Sequence, residues 1–119
     1  MTLVDTSAWI DHFRRSDPDL IARLQAGTVA SHPFVIGELA LGNLTRRAEI
    51  LELIRALPVL EAQPHEVVLA FVHRHELAGT GVGWVDVHLL AAAEAEGAAL
   101  FSNDRRLRTQ AARLGLAAR

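Results

Sequence analysis

Short apolar runs alternate along the chain with longer amphipathic stretches. The short runs predict strands, because each is too brief for a helix and is bounded by capping or turn residues. The predicted strands are Leu3–Val4, Thr28–Ser31, Val59–Glu61 and Ala98–Ser102. The predicted helices are Ala8–Phe13, Pro18–Leu24, a helix that begins at Pro33 and carries Glu38, Ala48–Leu57, Pro64–Ala78, Trp84–Glu96 and Asp104–Leu114. This alternation is typical of an α/β fold built on a parallel sheet.

Four acidic residues interrupt or directly follow the apolar runs. Asp5 and Asp104 come at the carboxyl ends of predicted strands, Glu38 lies inside an apolar helix, and Asp86 lies in the first turn of another helix. Ligands of a parallel sheet bind outside the carboxyl ends of its strands. Two negative charges ~4 Å apart repel by about 4 kcal/mol at an effective dielectric of 20, so a cluster of four requires a cation. A metal site is therefore the first hypothesis.

Each of these acids also has an ordinary structural interpretation. Asp86 suits a helix start, where the helix dipole favours an anion. Asp104 suits the N-cap of the last helix, and Asp5 suits an Asx turn at a strand end. Glu38 is explained equally by a buried ion pair with an arginine. These interpretations explain one acid at a time, whereas a metal site explains all four together.

Length and composition limit the classes of protein that fit. With 119 residues and 50% hydrophobic residues, we expect a single domain over residues 1–119. No stretch approaches the ~18 apolar residues of a membrane span, and Asp5 interrupts the first apolar run before it resembles a secretory signal. The absence of cysteine fits the cytosol and excludes thiolate ligands. We therefore expect a cytoplasmic protein without membrane contact, in which oxygen or histidine holds any metal.

All 12 cationic residues are arginine, although the net charge is −2. They cluster at Arg14–Arg15, at Arg46–Arg47 and within Arg105–Arg108. The guanidinium fork suits phosphate better than an ammonium group does. A solvated helix face is the alternative for any one cluster.

The two tryptophans lie close in sequence to acids. Trp9 and Trp84 have the ring area to stack on nucleobases, but the large area that a tryptophan buries favours a core position for both.

Four segments together resemble the acidic motifs of PIN-domain ribonucleases. They are Leu3-Val4-Asp5-Thr6-Ser7, Phe34–Gly42 with Glu38, Gly83-Trp84-Val85-Asp86 with its alanine-rich continuation, and Leu100-Phe101-Ser102-Asn103-Asp104. Their order and spacing match the family over nearly the whole chain. The compact form is most similar to the VapC toxins of bacterial toxin–antitoxin pairs.

The resemblance has specific implications. It implies the PIN three-layer α/β/α sandwich around a mainly parallel sheet. It implies that Asp5, Glu38, Asp86 and Asp104 are the catalytic, metal-binding carboxylates, supported by the hydroxyls of Thr6 and Ser102; the family often has Thr where Ser102 stands. Family members are commonly homodimers that are inhibited by a VapB partner and cut structured RNA such as tRNA or ribosomal RNA.

The donor set indicates which metal to expect. Oxygen ligands suit Mg²⁺ or Mn²⁺, which bind through a few carboxylates and retain several waters. Such an ion activates a water and neutralises a phosphodiester oxygen. An acidic pocket that admits RNA also needs cations at its rim, and Arg14, Arg15, Arg105 and Arg106 are the candidates for phosphate contact because they follow two of the acids.

Three functions remain open from the sequence. The first is an endoribonuclease toxin with a VapB-type antitoxin. The second is a PIN-type nuclease of RNA maturation that has no antitoxin. The third is a non-catalytic module whose acidic pocket binds an arginine of a partner.

Overall fold

All the regular strands belong to one parallel sheet in the computed structural model, which describes residues 1–119. The strands are β1 (Thr2–Val4), β2 (Val29–Ala30) and β3 (Ala99–Phe101), in the order β2-β1-β3. The first strand of the chain is therefore the central one. Because both pairings of β1 are parallel, all three strands end at the same edge of the sheet.

One isolated bridge extends each side of the sheet. Ser31 pairs with Val59 beside β2, and Leu100 pairs with Ala117 beside β3. The prediction of a strand at Val59–Glu61 was therefore wrong. The pairing stops after one bridge because the next residue, His32, turns away to cap a helix. No local pattern in the sequence indicates the bridge at Ala117.

Seven helices connect and cover the strands. They are α1 (Thr6–Arg14), α2 (Pro18–Gln25), α3 (Pro33–Leu41), α4 (Arg47–Ala56), α5 (His65–Arg74), α6 (Trp84–Glu96) and α7 (Arg105–Arg113). The helices were predicted in this order, and the chain forms an α/β/α sandwich. Helix α5 is shorter than the predicted Pro64–Ala78, because Glu76 has left-handed backbone geometry with φ of 52° and ends the helical path.

The core lies between the sheet and the helices. Leu3 and Val4 of β1, Phe101 of β3 and Leu90 of α6 are fully buried. Trp9 is buried as predicted, with only 2% of its surface exposed. The prediction that Trp84 is also a core residue was wrong.

Trp84 retains 41% of its surface exposed. It is the first residue of α6, at the rim of the fold, where its ring contacts only the His65 and His88 rings among the aromatic and imidazole groups. None of the helices is both long enough and apolar enough to cross a membrane.

Candidate metal centre

Asp5 connects the central strand to α1 and is the most deeply buried of the four acids. It follows β1 directly, and only 4% of its surface is exposed. Its Oδ1 accepts hydrogen bonds from the Ala8 amide at 2.9 Å and from Ser7 Oγ at 2.8 Å. Its Oδ2 accepts one from Ser102 Oγ at 2.6 Å. Asp5 is thus the N-cap of α1 and is held in one orientation by three donors.

The residues after β3 complete this hydrogen-bond network. Ser102 Oγ, which donates to Asp5, accepts a bond from the Asp104 amide at 2.9 Å. The Asn103 amide donates to Ser7 Oγ at 3.1 Å. Asp104 caps α7 by accepting a bond from the Leu107 amide at 3.0 Å on Oδ1. These hydrogen bonds connect the end of β3 to the end of β1. Oδ2 of Asp104 forms no hydrogen bond within the chain.

Asp86 and Glu38 approach the same edge from two other helices. Asp86 Oδ2 accepts a bond from the Gly83 amide at 3.1 Å, which closes the first turn of α6. Glu38 Oε1 accepts a bond from Thr6 Oγ1 at 2.6 Å, which links α3 to α1. Each carboxylate keeps its second oxygen free.

The four acids differ in their exposure. Asp5 is buried, Asp86 is half-buried, and Glu38 and Asp104 are exposed. Glu38 forms no ion pair with an arginine, so the interpretation of it as a buried, arginine-paired acid was wrong. The expected capping roles of Asp86 and Asp104 are observed, and they coexist with the clustering.

Mutual repulsion is visible in the electrostatics of the site. Burial raises the pKa of Asp5, against the hydrogen bonds from Ser102, Ala8 and Ser7, and the charge of Asp86 raises it further. Burial likewise raises the pKa of Asp86, to which the charges of Asp104 and Glu38 contribute. The carboxylates therefore lie close enough to destabilise one another's charged forms.

Helix termini partly offset this repulsion. Asp5, Asp86 and Asp104 each accept a hydrogen bond from a backbone amide at the amino end of α1, α6 or α7. The amino ends of three helices therefore meet at the acids, and their partial positive charge favours anions there. This arrangement stabilises a cluster of negative charge without neutralising it.

The residues fit a hard divalent cation that is held through few protein ligands. The atoms available as metal ligands are carboxylate oxygens, which Mg²⁺ and Mn²⁺ prefer. No three His, Asp or Glu side chains are arranged to hold one ion together as they stand. Mg²⁺ commonly binds through one or two carboxylates and keeps its other positions for water, so this arrangement suits it better than a closed cage would.

The arginines predicted to contact phosphate separate into different places. Arg14 lines a groove beside α4 that contains none of the four acids. Arg15 is exposed at the end of α1. Arg105 lies directly after Asp104, whereas Arg106 lies over Gly81, where an added Cβ would be only 2.9 Å from its Cδ.

Three polar residues that support the site were missed in the sequence. Ser7 bridges Asp5 and the Asn103 amide, and Asn103 Nδ2 donates to Asp11 at 2.9 Å. Ser7 had a signal, since its hydroxyl follows Asp5 at a strand end, but that signal indicated only a helix cap. Asn103 and Asp11 meet because α1 and the end of β3 are neighbours in space, which no local pattern predicts.

Comparisons with known proteins show the family and the fold. The family model of the PIN domain matches residues 2–112. The chain is 42% identical over 118 residues to ribonuclease VapC32 of Mycobacterium tuberculosis, in strains CDC 1551/Oshkosh and ATCC 25618/H37Rv. The alignment covers 98% of this chain and 95% of that protein.

Two solved structures share the fold. The crystal structure of DNA-bound VapBC from Salmonella typhimurium matches with a TM-score of 0.67 at 20% identity, over 88% of each chain. The crystal structure of PAE2754 from Pyrobaculum aerophilum matches with a TM-score of 0.62 at 21% identity, over 92% of this chain and 78% of that one. The PIN-domain model covers nearly the whole chain, and the sequence is 42% identical to a VapC ribonuclease. The chain therefore belongs to the PIN-domain family, in its VapC ribonuclease branch.

Proposed function

We propose that the protein is a metal-dependent endoribonuclease toxin that hydrolyses phosphodiester bonds in structured RNA. One observation carries the proposal. Four carboxylates from four separate elements meet at the carboxyl edge of the sheet, where Asp5 and Asp86 have raised pKa values, in a chain 42% identical to a ribonuclease. A cation is the simplest way to stabilise such a cluster at neutral pH.

Each acid has a distinct part in this proposal. Asp5, Asp86, Asp104 and Glu38 are the residues from which the few protein ligands of Mg²⁺ or Mn²⁺ would come. When bound, the ion would activate a water and neutralise a phosphodiester oxygen. Thr6 fixes one oxygen of Glu38 and leaves the other free to bind the ion or to orient the attacking water. Ser102 Oγ donates to Asp5 and accepts from the Asp104 amide, so it holds these two acidic residues next to each other.

Cleavage by the purified protein tests this function. Wild type with Mg²⁺ or Mn²⁺ should cleave tRNA or ribosomal RNA, and excess chelator should abolish the activity. Asp5→Asn should also abolish it, whereas the charge-matched control Glu52→Gln, on the exposed side of α4, should not. Cleavage that persists in chelator would refute the metal requirement. Sequencing of RNA 5′ ends after induced expression would identify the RNA class and the cleavage position.

The same proposal includes a VapB-type antitoxin. A groove of about 660 Å³ lies between α1 and α4, with an apolar floor that includes Ile10, Phe13 and Ile50 and a charged rim that includes Arg14 and Glu49. Such a groove suits an amphipathic helix. The fold match to a VapBC complex supports an antitoxin as the occupant. Growth arrest on expression that a small neighbouring gene relieves would support it, and arrest that no neighbour relieves would favour a maturation nuclease.

A homodimer is the proposed assembly. Glu38 is the only charged residue of α3, a surface helix that is otherwise apolar around its circumference, and Leu41 is 91% exposed. An apolar surface helix is expected to be covered by a partner. Light scattering should report a dimer for wild type and a monomer for Leu41→Glu; a monomeric wild type would refute the assembly.

We further propose that residues 1–119 act as one cytoplasmic PIN domain.

A further inference from the structure

One face of α7 lines a shallow concavity next to the acid site. The concavity has a volume of about 460 Å³, and its lining consists of Asn103, Arg105, Arg108, Thr109, Ala112 and Arg119. Residues 105, 108, 109 and 112 follow the three- and four-residue spacing of one helix face. The concavity is therefore a polar surface with three guanidinium groups and one apolar residue.

The three arginines of this concavity differ in how free their charge is. Arg119 is engaged, because it pairs with Asp17 at 3.2 Å, hydrogen-bonds to Asn103 and lies 4.0 Å from the centre of the Phe101 ring. The side chains of Arg105 and Arg108 take part in no hydrogen bond or ion pair of the structure. Their charge is therefore available to an anion from outside the chain.

The concavity is continuous with the acid site through Asn103. This residue lies between Ser102 and Asp104, and its amide donates to Ser7, which holds Asp5. Its side chain is fixed on both sides, by Asp11 and by Arg119. Asn103 therefore contributes both to the hydrogen-bond network of the acids and to the lining of the concavity. Arg105 directly follows Asp104, and Arg108 lies one helical turn further along α7, so an RNA strand that reaches the acids passes close to both arginines.

We propose that Arg105 and Arg108 bind a backbone phosphate of the RNA that flanks the scissile one. This inference rests on the proposed ribonuclease function and adds a substrate-binding site to it. Both guanidinium groups can reach the same anion because they lie one turn apart, and the amino end of α7 contributes its partial positive charge. Arg106 is not part of this site, because it lies over Gly81 on another face of the helix.

The salt dependence of RNA binding tests this site. The probe is a fluorescein-labelled single-stranded 20-nucleotide RNA of mixed sequence, titrated with intact protein in chelator so that no cleavage occurs. Removal of one arginine–phosphate interaction reduces the slope of log K against log salt by about 0.7. Arg108→Gln should therefore bind about 5-fold more weakly at 0.1 M salt, with a shallower slope, and Arg105→Gln should behave likewise.

Two control variants remove the same charge elsewhere. Arg106→Gln changes the same helix on a different face, and Arg55→Gln changes exposed α4. Both should keep the wild-type slope. An equal decrease in the slope for Arg106→Gln and Arg108→Gln would overturn the site in favour of general attraction, and an unchanged slope for Arg108→Gln would overturn it outright. Wild-type RNA cleavage, measured separately with Mn²⁺, shows whether a failure lies in this site or in the proposed function.

Discussion

Asp86 offers a direct test of the crowded carboxylates, because it combines a repelling charge with a useful hydrogen bond. Its charge is disfavoured by burial and by Asp104 and Glu38, while its Oδ2 closes the first turn of α6 on the Gly83 amide. Asn at this position keeps an acceptor for the amide and removes the charge. Ala removes both. The pair of variants therefore separates repulsion from capping.

The expected magnitudes follow from these two contributions. Partly exposed charge pairs typically contribute about 0.2–1 kcal/mol each, so relief from two such neighbours should raise the free energy of unfolding of metal-free Asp86→Asn by about 1 kcal/mol. That corresponds to about 4 °C in Tm for a domain of this size. Loss of the helix cap costs about 1 kcal/mol, so Asp86→Ala should melt close to wild type.

Thermal melting in chelator measures both effects, followed by titration with Mn²⁺. The gap between wild type and Asp86→Asn should shrink in 1 M salt, where charges are screened over about 3 Å. Mn²⁺ at 100 times its dissociation constant should stabilise wild type by about 2.7 kcal/mol, and Asp86→Asn by less. A metal-free Asp86→Asn that melts below wild type would refute the reasoning, since capping by a carboxylate would then outweigh the repulsion.

The pKa direction also fixes how this difference depends on pH. Because the folded pKa of Asp86 is raised, the stability that this residue contributes is full below the unfolded value of about 3.9 and is lost as pH rises through the folded pKa. The advantage of Asp86→Asn should accordingly be full at pH 7 and vanish in acid. A gap that is constant over this range would show that charge is not its cause.

Three further outcomes are expected. Asp5→Asn should stay folded at 25 °C by circular dichroism, whereas Asp5→Ala should lose on the order of 2 kcal/mol of stability, because a buried acceptor of three hydrogen bonds disappears; equal stability of the two would contradict the network. Ser102→Ala should reduce Mn²⁺ affinity by about 10- to 100-fold in calorimetry, since Ser102 orients Asp5, and an unchanged affinity would show that this hydrogen bond does not support metal binding. Burial lowers the pKa of His32 to about 4, so the free energy of unfolding of wild type should decrease by on the order of 3 kcal/mol as pH falls from 6.5 through 4. His32→Asn, which can still cap α3, should lose less stability over that range when measured by chemical denaturation. An equal loss would exclude His32 as the cause.

The arrangement of the fold followed from the sequence because its signals are local and repeated. An acid directly after an apolar run, as at Asp5, marks the end of a buried strand, and parallel strands end at a common edge. Capping residues such as Asp17 and Asp104 mark helix starts on the same local basis, and both are observed as caps. The order of the helices and the parallel sheet were therefore predictable.

The failures concern contacts between distant segments. The exposure of Trp84 depends on how α5 packs against α6. The sequence pattern of α6 alone does not predict that packing. The single bridge at Val59 depends on where β2 ends. Arg105 and Arg106 are adjacent in sequence, yet the side chain of Arg106 lies over Gly81 whereas Arg105 lines a different surface, beside Arg108. Closeness in sequence therefore does not place neighbouring arginines on one surface of the protein.

The central position of β1 has a consequence for how the protein is made. The first strand pairs on one side with β2 and on the other with β3, whose partner residues lie nearly the full chain length away. A chain emerging from the ribosome exposes β1 long before β3 exists, so this pairing can close only after Ala99–Phe101 has been synthesised. Asp5 has its Ser102 partner only after that closure. A chain that stops before β3 therefore lacks one of the two neighbours of its central strand and the hydroxyl that orients Asp5.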